Sequence, residues 1–147
     1  MLEKTYKFNT DDYINDNQVL LPKGLGYVGL ALISVQKLYV FLGDLARYKE
    51  QVNETNNYAK SKFWYTKAQQ INPKNGRPYN QLAILAIYAR RKLDAVYYYM
   101  RSLMSSNPFH SARESLLSLF EENRRKYEIA ERKRRAAIES KVLETAG

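Results

Sequence analysis

Apolar residues recur every three or four positions along most of the chain, and the few helix-breaking residues stand between these periodic segments. Such a period places the apolar side chains of a segment on one face of a helix. Only four prolines and six glycines occur in 147 residues, and most of them lie at the junctions. The pattern therefore predicts an all-α fold, with helices that begin near Leu30, Tyr58, Pro78, Leu93 and Ser111.

Three of these segments have a well-defined apolar stripe, which is typical of the side on which a helix packs. The stripe of the first helix consists of Leu30, Ile33, Leu38, Phe41, Leu45 and Tyr48. The stripe of the third helix consists of Tyr79, Leu82, Ala83, Ala86 and Ile87. The stripe of the fourth helix consists of Leu93, Val96, Tyr97, Met100, Leu103 and Met104. The first helix should end at the polar residues 53–57, and Pro78 suits a first helical turn, where its missing N–H is not needed.

The two ends of the chain carry weaker signals. Residues 9–12 are suited to cap a short helix, and residues 21–29 are predicted to connect it to the first long helix. The last helix is predicted to run from Ser111 toward Thr145, with few apolar residues after Tyr127. We expect a single helical domain that is a fragment of a larger protein. Its parts are a turn and connection at 1–28, helix pairs at 29–110 and a long basic C-terminal helix at 111–147.

A repeat of 35 residues relates Pro73 to Pro108, close to the tetratricopeptide period of about 34. Aligning the repeat on Pro73 and its preceding Asn72 assigns small residues, aromatic residues and one leucine to the positions where paired helices approach each other. These residues are Ser61, Tyr65, Ala68, Tyr79, Leu82, Ala83, Ala95 and Tyr99. Small residues matter there because two helices approach closely only where a large side chain is absent. The alignment therefore predicts antiparallel helix pairs stacked as a solenoid.

The net charge of +9 is concentrated in the middle of the chain. Residues 1–59 carry six basic and seven acidic side chains, residues 60–112 carry nine and one, and residues 113–147 carry nine and seven. The middle segment, with Asp94 as its only acid, should therefore attract anions. The C-terminal segment nearly balances its own charge, as expected of a solvated helix with Glu and Arg at helical spacing.

The composition excludes several classes of chemistry. The chain has no cysteine and only one histidine, His110, so disulfides, thiolate nucleophiles and multi-histidine metal sites are excluded. The sequence contains no phosphate-binding loop, dinucleotide fingerprint or nucleophile elbow. No uninterrupted apolar run approaches the roughly 18 residues of a membrane span. We therefore expect a soluble, intracellular protein that has no cofactor, metal or catalytic site and does not enter a membrane.

The segment GDLARY at 43–48 combines three side chains that suit a phosphate. Asp44 and Arg47 are three residues apart, and Asp44 and Tyr48 are four apart. On a helix the carboxylate can therefore hold the guanidinium while the phenol lies beside it. A positioned Arg donates two hydrogen bonds to a phosphate and a neighbouring phenol donates one more. An ordinary Asp–Arg ion pair beside a core tyrosine explains the same spacing, so both interpretations stand.

These residues also carry a family resemblance. GDLARY resembles the phosphate-binding segment of 14-3-3 proteins. The longer segments LGDLARYKEQ, WYTKAQQINPKNGRPYNQLAILA and RRKLDAVYYYMRSL resemble the 14-3-3-like tetratricopeptide domain of the Est-one and Smg family. The members of this family are nonsense-mediated mRNA decay factors and telomerase-associated proteins. The resemblance covers about residues 38–130 and is strongest to the telomerase-binding, Smg-six type.

The resemblance implies a non-catalytic module that binds a peptide phosphorylated on serine or threonine. It implies that Arg47 and Tyr48 bind the phosphate and that Asp44 orients them. It further implies that the Asn80 and Gln81 amides hold the peptide backbone. The implied partner is the phosphorylated up-frameshift RNA helicase, in the cytoplasm and the nucleus. A PIN nuclease domain is the typical companion of the Smg-six type, and this chain contains no part of one.

Two other functions are consistent with the sequence. One is a basic helical scaffold that binds single-stranded RNA or telomeric DNA through residues 60–112, with telomerase as an alternative partner. The three successive tyrosines at 97–99 lie near several arginines, but successive helical residues turn by about 100°, so at least one should be buried and one exposed. The other is a structural repeat that docks the rest of a longer protein.

Overall fold

The computed structural model describes residues 26–147, which form five α-helices. The helices are α1 (Gly26–Val52), α2 (Ala59–Ile71), α3 (Arg77–Tyr88), α4 (Lys92–Met104) and α5 (Ser111–Ala146). Consecutive helices pack as antiparallel pairs, α1 with α2 and α3 with α4, and α2 also packs on α3. The described residues contain no β-strand, and the predicted all-α fold is confirmed. They divide into two compact units, one through Ala112 and one from Arg113.

The helix boundaries agree with the sequence prediction at most junctions. α1 ends before the polar residues 53–57, and α3 carries Pro78 in its first turn. The start of α1 differs, because residues 26–29, predicted as part of a connection, are already helical. The predicted cap at 9–12 and the rest of that connection lie outside the described residues.

α1 packs through a face that the apolar pattern does not predict. Every residue of the predicted stripe, from Leu30 to Tyr48, is at least 47% exposed. The buried face instead follows Leu32, Gln36, Val40 and Arg47. The predicted packed side of α1 is therefore wrong. Apolar residues recur at helical spacing on more than one side of α1, so this spacing alone does not identify the side that packs.

The repeat alignment, in contrast, identifies the core of the helix pairs correctly. All eight positions that the alignment assigns are at most 5% exposed: Ser61, Tyr65, Ala68, Tyr79, Leu82, Ala83, Ala95 and Tyr99. The apolar stripe predicted for α4 is largely exposed, with Leu93 at 86% and Met104 at 76%. The prediction for residues 97–99 is confirmed, since Tyr99 is buried and Tyr97 is 55% exposed.

The two proline-containing loops of the repeat are hydrogen-bonded to each other. The Gly76 N–H donates to the Asn107 carbonyl at 2.8 Å, and the Asn107 N–H donates to the Lys74 carbonyl at 2.9 Å. Gly76 permits this approach, because a Cβ atom there would lie 2.5 Å from the Ser102 carbonyl oxygen. These bonds fix how the α3–α4 pair sits at the end of α2.

α1 is long and apolar enough over Tyr27–Val52 to cross a membrane, judged by length and mean hydropathy. The sequence analysis predicts no segment of this kind. A core helix satisfies the same criterion. On the buried side of α1, the Gln36 amide nitrogen donates to the carbonyls of Ala68 at 2.7 Å and Asn72 at 3.1 Å. The Gln36 oxygen accepts from the Asn75 amide at 2.9 Å. A polar face bonded to α2 and its following loop favours the assignment of α1 to the helical core.

α5 carries ion pairs at helical spacing. The pairs are Arg124–Glu121 at 2.9 Å, Lys126–Glu122 at 2.5 Å and Arg134–Glu131 at 2.8 Å. The hydrogen bond from Arg124 holds the pKa of the Glu121 carboxyl below its ordinary value. The expected pairing of charges within the C-terminal segment is confirmed, and such exposed pairs contribute little to stability.

Candidate functional site

Arg47 lies near the end of α1 with its side chain directed at α2. Its Nε donates to the Tyr65 hydroxyl at 3.2 Å, and its Nη2 lies 3.5 Å from Asp44 Oδ1. Arg47 is only 8% exposed, and its partner Tyr65 belongs to the core and is fully buried. The i, i+3 pair predicted from the sequence is therefore present, and it belongs to a network that extends beyond α1.

Asp44 is the centre of this network. Its Oδ1 accepts from the Tyr65 hydroxyl at 2.5 Å and from Gln81 Nε2 at 2.6 Å, in addition to Arg47. The Gln81 oxygen accepts in turn from the Asn80 amide at 3.2 Å. One carboxylate oxygen thus joins α1, α2 and α3, and it fixes the side on which Arg47 donates its hydrogen bonds.

The protonation states of the network follow from its surroundings. Burial raises the pKa of the Tyr65 phenol, and the hydrogen bond to the Asp44 carboxylate raises it further. Tyr65 therefore remains protonated and donates to Asp44 at neutral pH. Burial acts to lower the pKa of Arg47, but its hydrogen bond with Tyr65 and the nearby Tyr88 hydroxyl outweigh this effect and leave the pKa above its ordinary value. Arg47 is consequently a permanent cation at the edge of the core.

Tyr48 lies on the open side of Arg47. The Arg47 guanidinium carbon is 4.7 Å from the centre of the Tyr48 ring, and Tyr48 is 50% exposed. A guanidinium has five N–H donors, and the bonds of Arg47 with Tyr65 and Asp44 leave three that make no hydrogen bond among the described residues. The arrangement therefore combines a held cation, covered on the core side, with a phenol that faces solvent.

Asn80 and Gln81, predicted to hold a peptide backbone, are both buried in α3 at 6% and 7% exposure. The Gln81 amide nitrogen is bonded to Asp44, which gives Gln81 a positioning role toward Arg47. The Asn80 Oδ1 atom is buried and has no hydrogen-bond partner among the residues that the structure describes. A backbone contact from Asn80 or Gln81 therefore remains a prediction.

Two contributors to the site were missed by the sequence reasoning. Tyr65 was recognised as a repeat position and not as the partner of Arg47, although the two are 18 residues apart and directly bonded. Tyr88 carries no such signal in the sequence, yet its hydroxyl accepts from Gln51 Nε2 at 2.8 Å and lies close enough to Arg47 to raise the pKa of that side chain. No local spacing signals either contact, because each depends on how α2 or α3 packs against α1.

A second concave feature adjoins this site. It is a cavity of about 650 Å³ between the start of α2, the C-terminal half of α3 and the start of α4. We name it the tyrosine groove after its four tyrosines, Tyr58, Tyr88, Tyr97 and Tyr98. Over residues 26–147, no three Asp, Glu or His side chains are grouped so that they could hold a metal ion.

Comparison with known proteins places residues 61–144 in one sequence family. They match the family described as Est1 DNA/RNA binding domain. The chain is 54% identical over 132 residues to the telomerase-binding protein EST1A of Danio rerio, covering 90% of this chain and 8% of that protein. It is 40% identical over 110 residues to the nonsense-mediated mRNA decay factor SMG7 of Arabidopsis thaliana, covering 72% of this chain and 10% of that protein.

A more distant relative is the nonsense-mediated mRNA decay factor SMG5 of Homo sapiens, which is 29% identical over 97 residues. That match covers 66% of this chain and 10% of the human protein. The chain thus spans about a tenth or less of each of these relatives. Their names describe telomerase binding and mRNA decay, and no enzymatic activity is indicated for this domain.

Proposed function

The chain belongs to the Est1 DNA/RNA-binding domain family, and we propose that it is a non-catalytic module that binds a peptide phosphorylated on serine or threonine. Membership confirms the resemblance to the Est-one and Smg family drawn from the sequence. In this proposal Arg47 and Tyr48 bind the phosphate, and Asp44 holds Arg47 in place. The partner is the phosphorylated up-frameshift RNA helicase, in the cytoplasm and the nucleus, within a mRNA-decay or telomerase-related assembly.

The observation that carries the proposal is the way in which Arg47 is held. A free arginine side chain loses much rotamer entropy when it binds a ligand, whereas Arg47 is already bonded to Asp44 and Tyr65. The half-exposed Tyr48 ring lies 4.7 Å from the guanidinium carbon, so a phenol stands beside this held cation. A preorganised guanidinium beside a phenol suits the tetrahedral oxygens of a phosphate.

The charge of the neighbouring segment supports the same ligand class. Residues 60–112 carry a net charge of +8, whereas residues 1–59, which contain Arg47, carry −1. The basic segment supplies a field that attracts an anionic peptide, and Arg47 supplies the specific contact. The two contributions are separable, because salt screens the field much more than it screens a partly buried contact.

Isothermal titration with one helicase-derived peptide in three forms tests the proposal. We expect the phosphoserine form to bind about 30-fold more tightly than the unmodified form, because each charge-assisted hydrogen bond contributes about 1.5–3 kcal/mol. A form with aspartate at the same position has the charge without the tetrahedral oxygens, and its affinity should be intermediate. Equal affinity for all three forms would contradict the proposal.

A second candidate function is the binding of single-stranded RNA or telomeric DNA, favoured by the family's description and by the +8 segment. If about five phosphates were contacted, affinity should fall about a hundredfold between 50 and 200 mM salt. A single phosphopeptide contact should lose only about fourfold over the same range. Fluorescence anisotropy with a labelled oligonucleotide and a labelled phosphopeptide separates the two functions, and a flat salt response would remove nucleic acid from consideration.

A further inference from the structure

The tyrosine groove has an apolar floor and aromatic walls. Leu82, Leu85 and Ala86 of α3 form the floor and are at most 7% exposed. The walls are two tyrosine pairs, Tyr58 with Tyr88 and Tyr97 with Tyr98, each with ring centres 5.3 Å apart. A cavity of about 650 Å³ with this lining is large enough to accept an aromatic side chain.

The charged side chains of the groove lie at its rim and sum to +1. They are Lys62 of α2 and the pair formed by Arg91 and Asp94 at 2.5 Å at the start of α4. This rim lies within the segment 60–112, whose other charged residues are all basic. The groove therefore complements a chain that is acidic overall and carries an apolar side chain.

Tyr88 connects the groove to the site around Arg47. Its ring forms part of the groove wall, while its hydroxyl accepts from Gln51 of α1, four residues after Arg47, and lies close enough to Arg47 to raise the pKa of that side chain. One tyrosine side chain thus separates the two features. Because Tyr88 borders both features, an extended peptide bound at Arg47 can also contact the groove.

We propose that the tyrosine groove binds an apolar or aromatic side chain of the same peptide whose phosphate is bound at Arg47. This inference rests on the proposed function and adds a sequence preference to it. The floor favours a peptide side chain over a nucleobase because it is formed by the apolar side chains of Leu82, Leu85 and Ala86, over which the polar edges of a base would be desolvated. The polar side chains Asn56 and Asn57 also line the groove, but they precede α2 and are not part of this floor.

The test compares an alanine-rich phosphoserine peptide with a series of variants that each carry one phenylalanine. The phenylalanine is moved from four residues before to four residues after the phosphoserine. We expect phenylalanine at one position to raise affinity about tenfold, as burial of an aromatic side chain gives when part of the gain is lost to ordering. The readout is the affinity of the best phenylalanine peptide divided by that of the alanine-rich peptide, measured separately for each protein variant.

Two variants assign that ratio to the groove. Tyr97→Ala removes an exposed wall, and Ala89→Trp fills the cavity, since Ala89 also lines it. Each should lower the tenfold ratio to about threefold or less. Tyr127→Ala removes a comparably exposed tyrosine from α5, outside the groove, and should leave the ratio at about ten. A ratio of about ten in Tyr97→Ala and in Ala89→Trp would overturn the assignment.

The remaining outcomes separate this inference from the proposed function. If phosphorylation is required but no phenylalanine position improves binding, the groove proposal fails and the phosphate site stands. If phosphorylated and unmodified peptides bind equally, both fail. If Tyr97→Ala instead weakens the binding of an oligouridine strand and leaves the peptide ratio unchanged, the groove belongs to nucleic acid and the proposal is overturned.

Discussion

Replacing Arg47 with alanine should lower the affinity for a singly phosphorylated peptide by about thirtyfold, as measured by isothermal titration. The loss corresponds to about 2 kcal/mol, the contribution of one charge-assisted hydrogen bond to a phosphate. The affinity for the unmodified peptide should change little, because the proposed contact is to the phosphate. No change for the phosphorylated peptide would remove Arg47 from the site.

Two further variants make this result specific. Arg47→Lys keeps the charge but loses the two-pronged geometry, so its affinity should lie between those of the wild type and Arg47→Ala. Lys49→Ala removes a positive charge from an exposed position two residues away on the same helix and should cost no more than about threefold. Because Arg47 is buried and bonded to Tyr65, each variant is first checked by urea denaturation, and affinities are compared only under conditions where all are folded.

The contrast between α1 and the helix pairs explains which parts of the fold are predictable from sequence. In α1 apolar residues occur on both sides, and the buried side holds Gln36 and Arg47 while Leu38 and Leu45 are exposed. A rule that seeks the most apolar face therefore selects the wrong one. The repeat alignment succeeds because it assigns the positions at which two helices need small side chains in order to pack closely.

α4 shows the same distinction within one helix. Its most apolar stripe contains Leu93 and Met104, which are 86% and 76% exposed, whereas its buried face is formed by Ala95, Tyr99 and Ser102. Two of these three buried residues were assigned by the tetratricopeptide alignment. Apolar periodicity thus locates the helices and their ends, and the repeat template determines which way they face.

The candidate site divides along similar lines. The Asp44–Arg47 pair and its neighbour Tyr48 follow from positions three and four apart on one helix, so local spacing predicts them. The hydrogen bonds from Tyr65 and Gln81 to Asp44 join residues 21 and 37 positions apart. Such contacts are set by the packing of α2 and α3 against α1, which no local pattern encodes.

Gly43 connects the packing of the core to the geometry of the site. A Cβ atom at this position would lie 2.5 Å from Tyr65 Cδ1 and would also overlap Cε1 of the same ring. Tyr65 is fully buried, and its hydroxyl is bonded to both Asp44 and Arg47, so the ring cannot move aside without breaking these bonds. The absence of a side chain at Gly43 is therefore what allows Tyr65 to hold Arg47.

Gly43→Ala should destabilise the domain by about 2 kcal/mol, measured as the free energy of unfolding in urea by circular dichroism. Overpacking a core costs about 1–3 kcal/mol, and here it outweighs the gain of up to about 1 kcal/mol that alanine brings over glycine inside a helix. Ser34→Ala, at an exposed position of α1, is the matched control and should shift stability by less than about 0.5 kcal/mol.

A double-mutant cycle with Tyr65→Leu attributes the loss to the ring. Leucine lacks the ring atoms that Gly43 accommodates, so adding alanine at position 43 to the Tyr65→Leu protein should cost at least about 1 kcal/mol less than adding it to the wild type. Equal costs in the two backgrounds would show that the glycine is required for another reason. Because the displaced Tyr65 also releases Arg47, the phosphopeptide affinity of folded Gly43→Ala should fall together with its stability, which ties the shape of the core to the proposed recognition of phosphate.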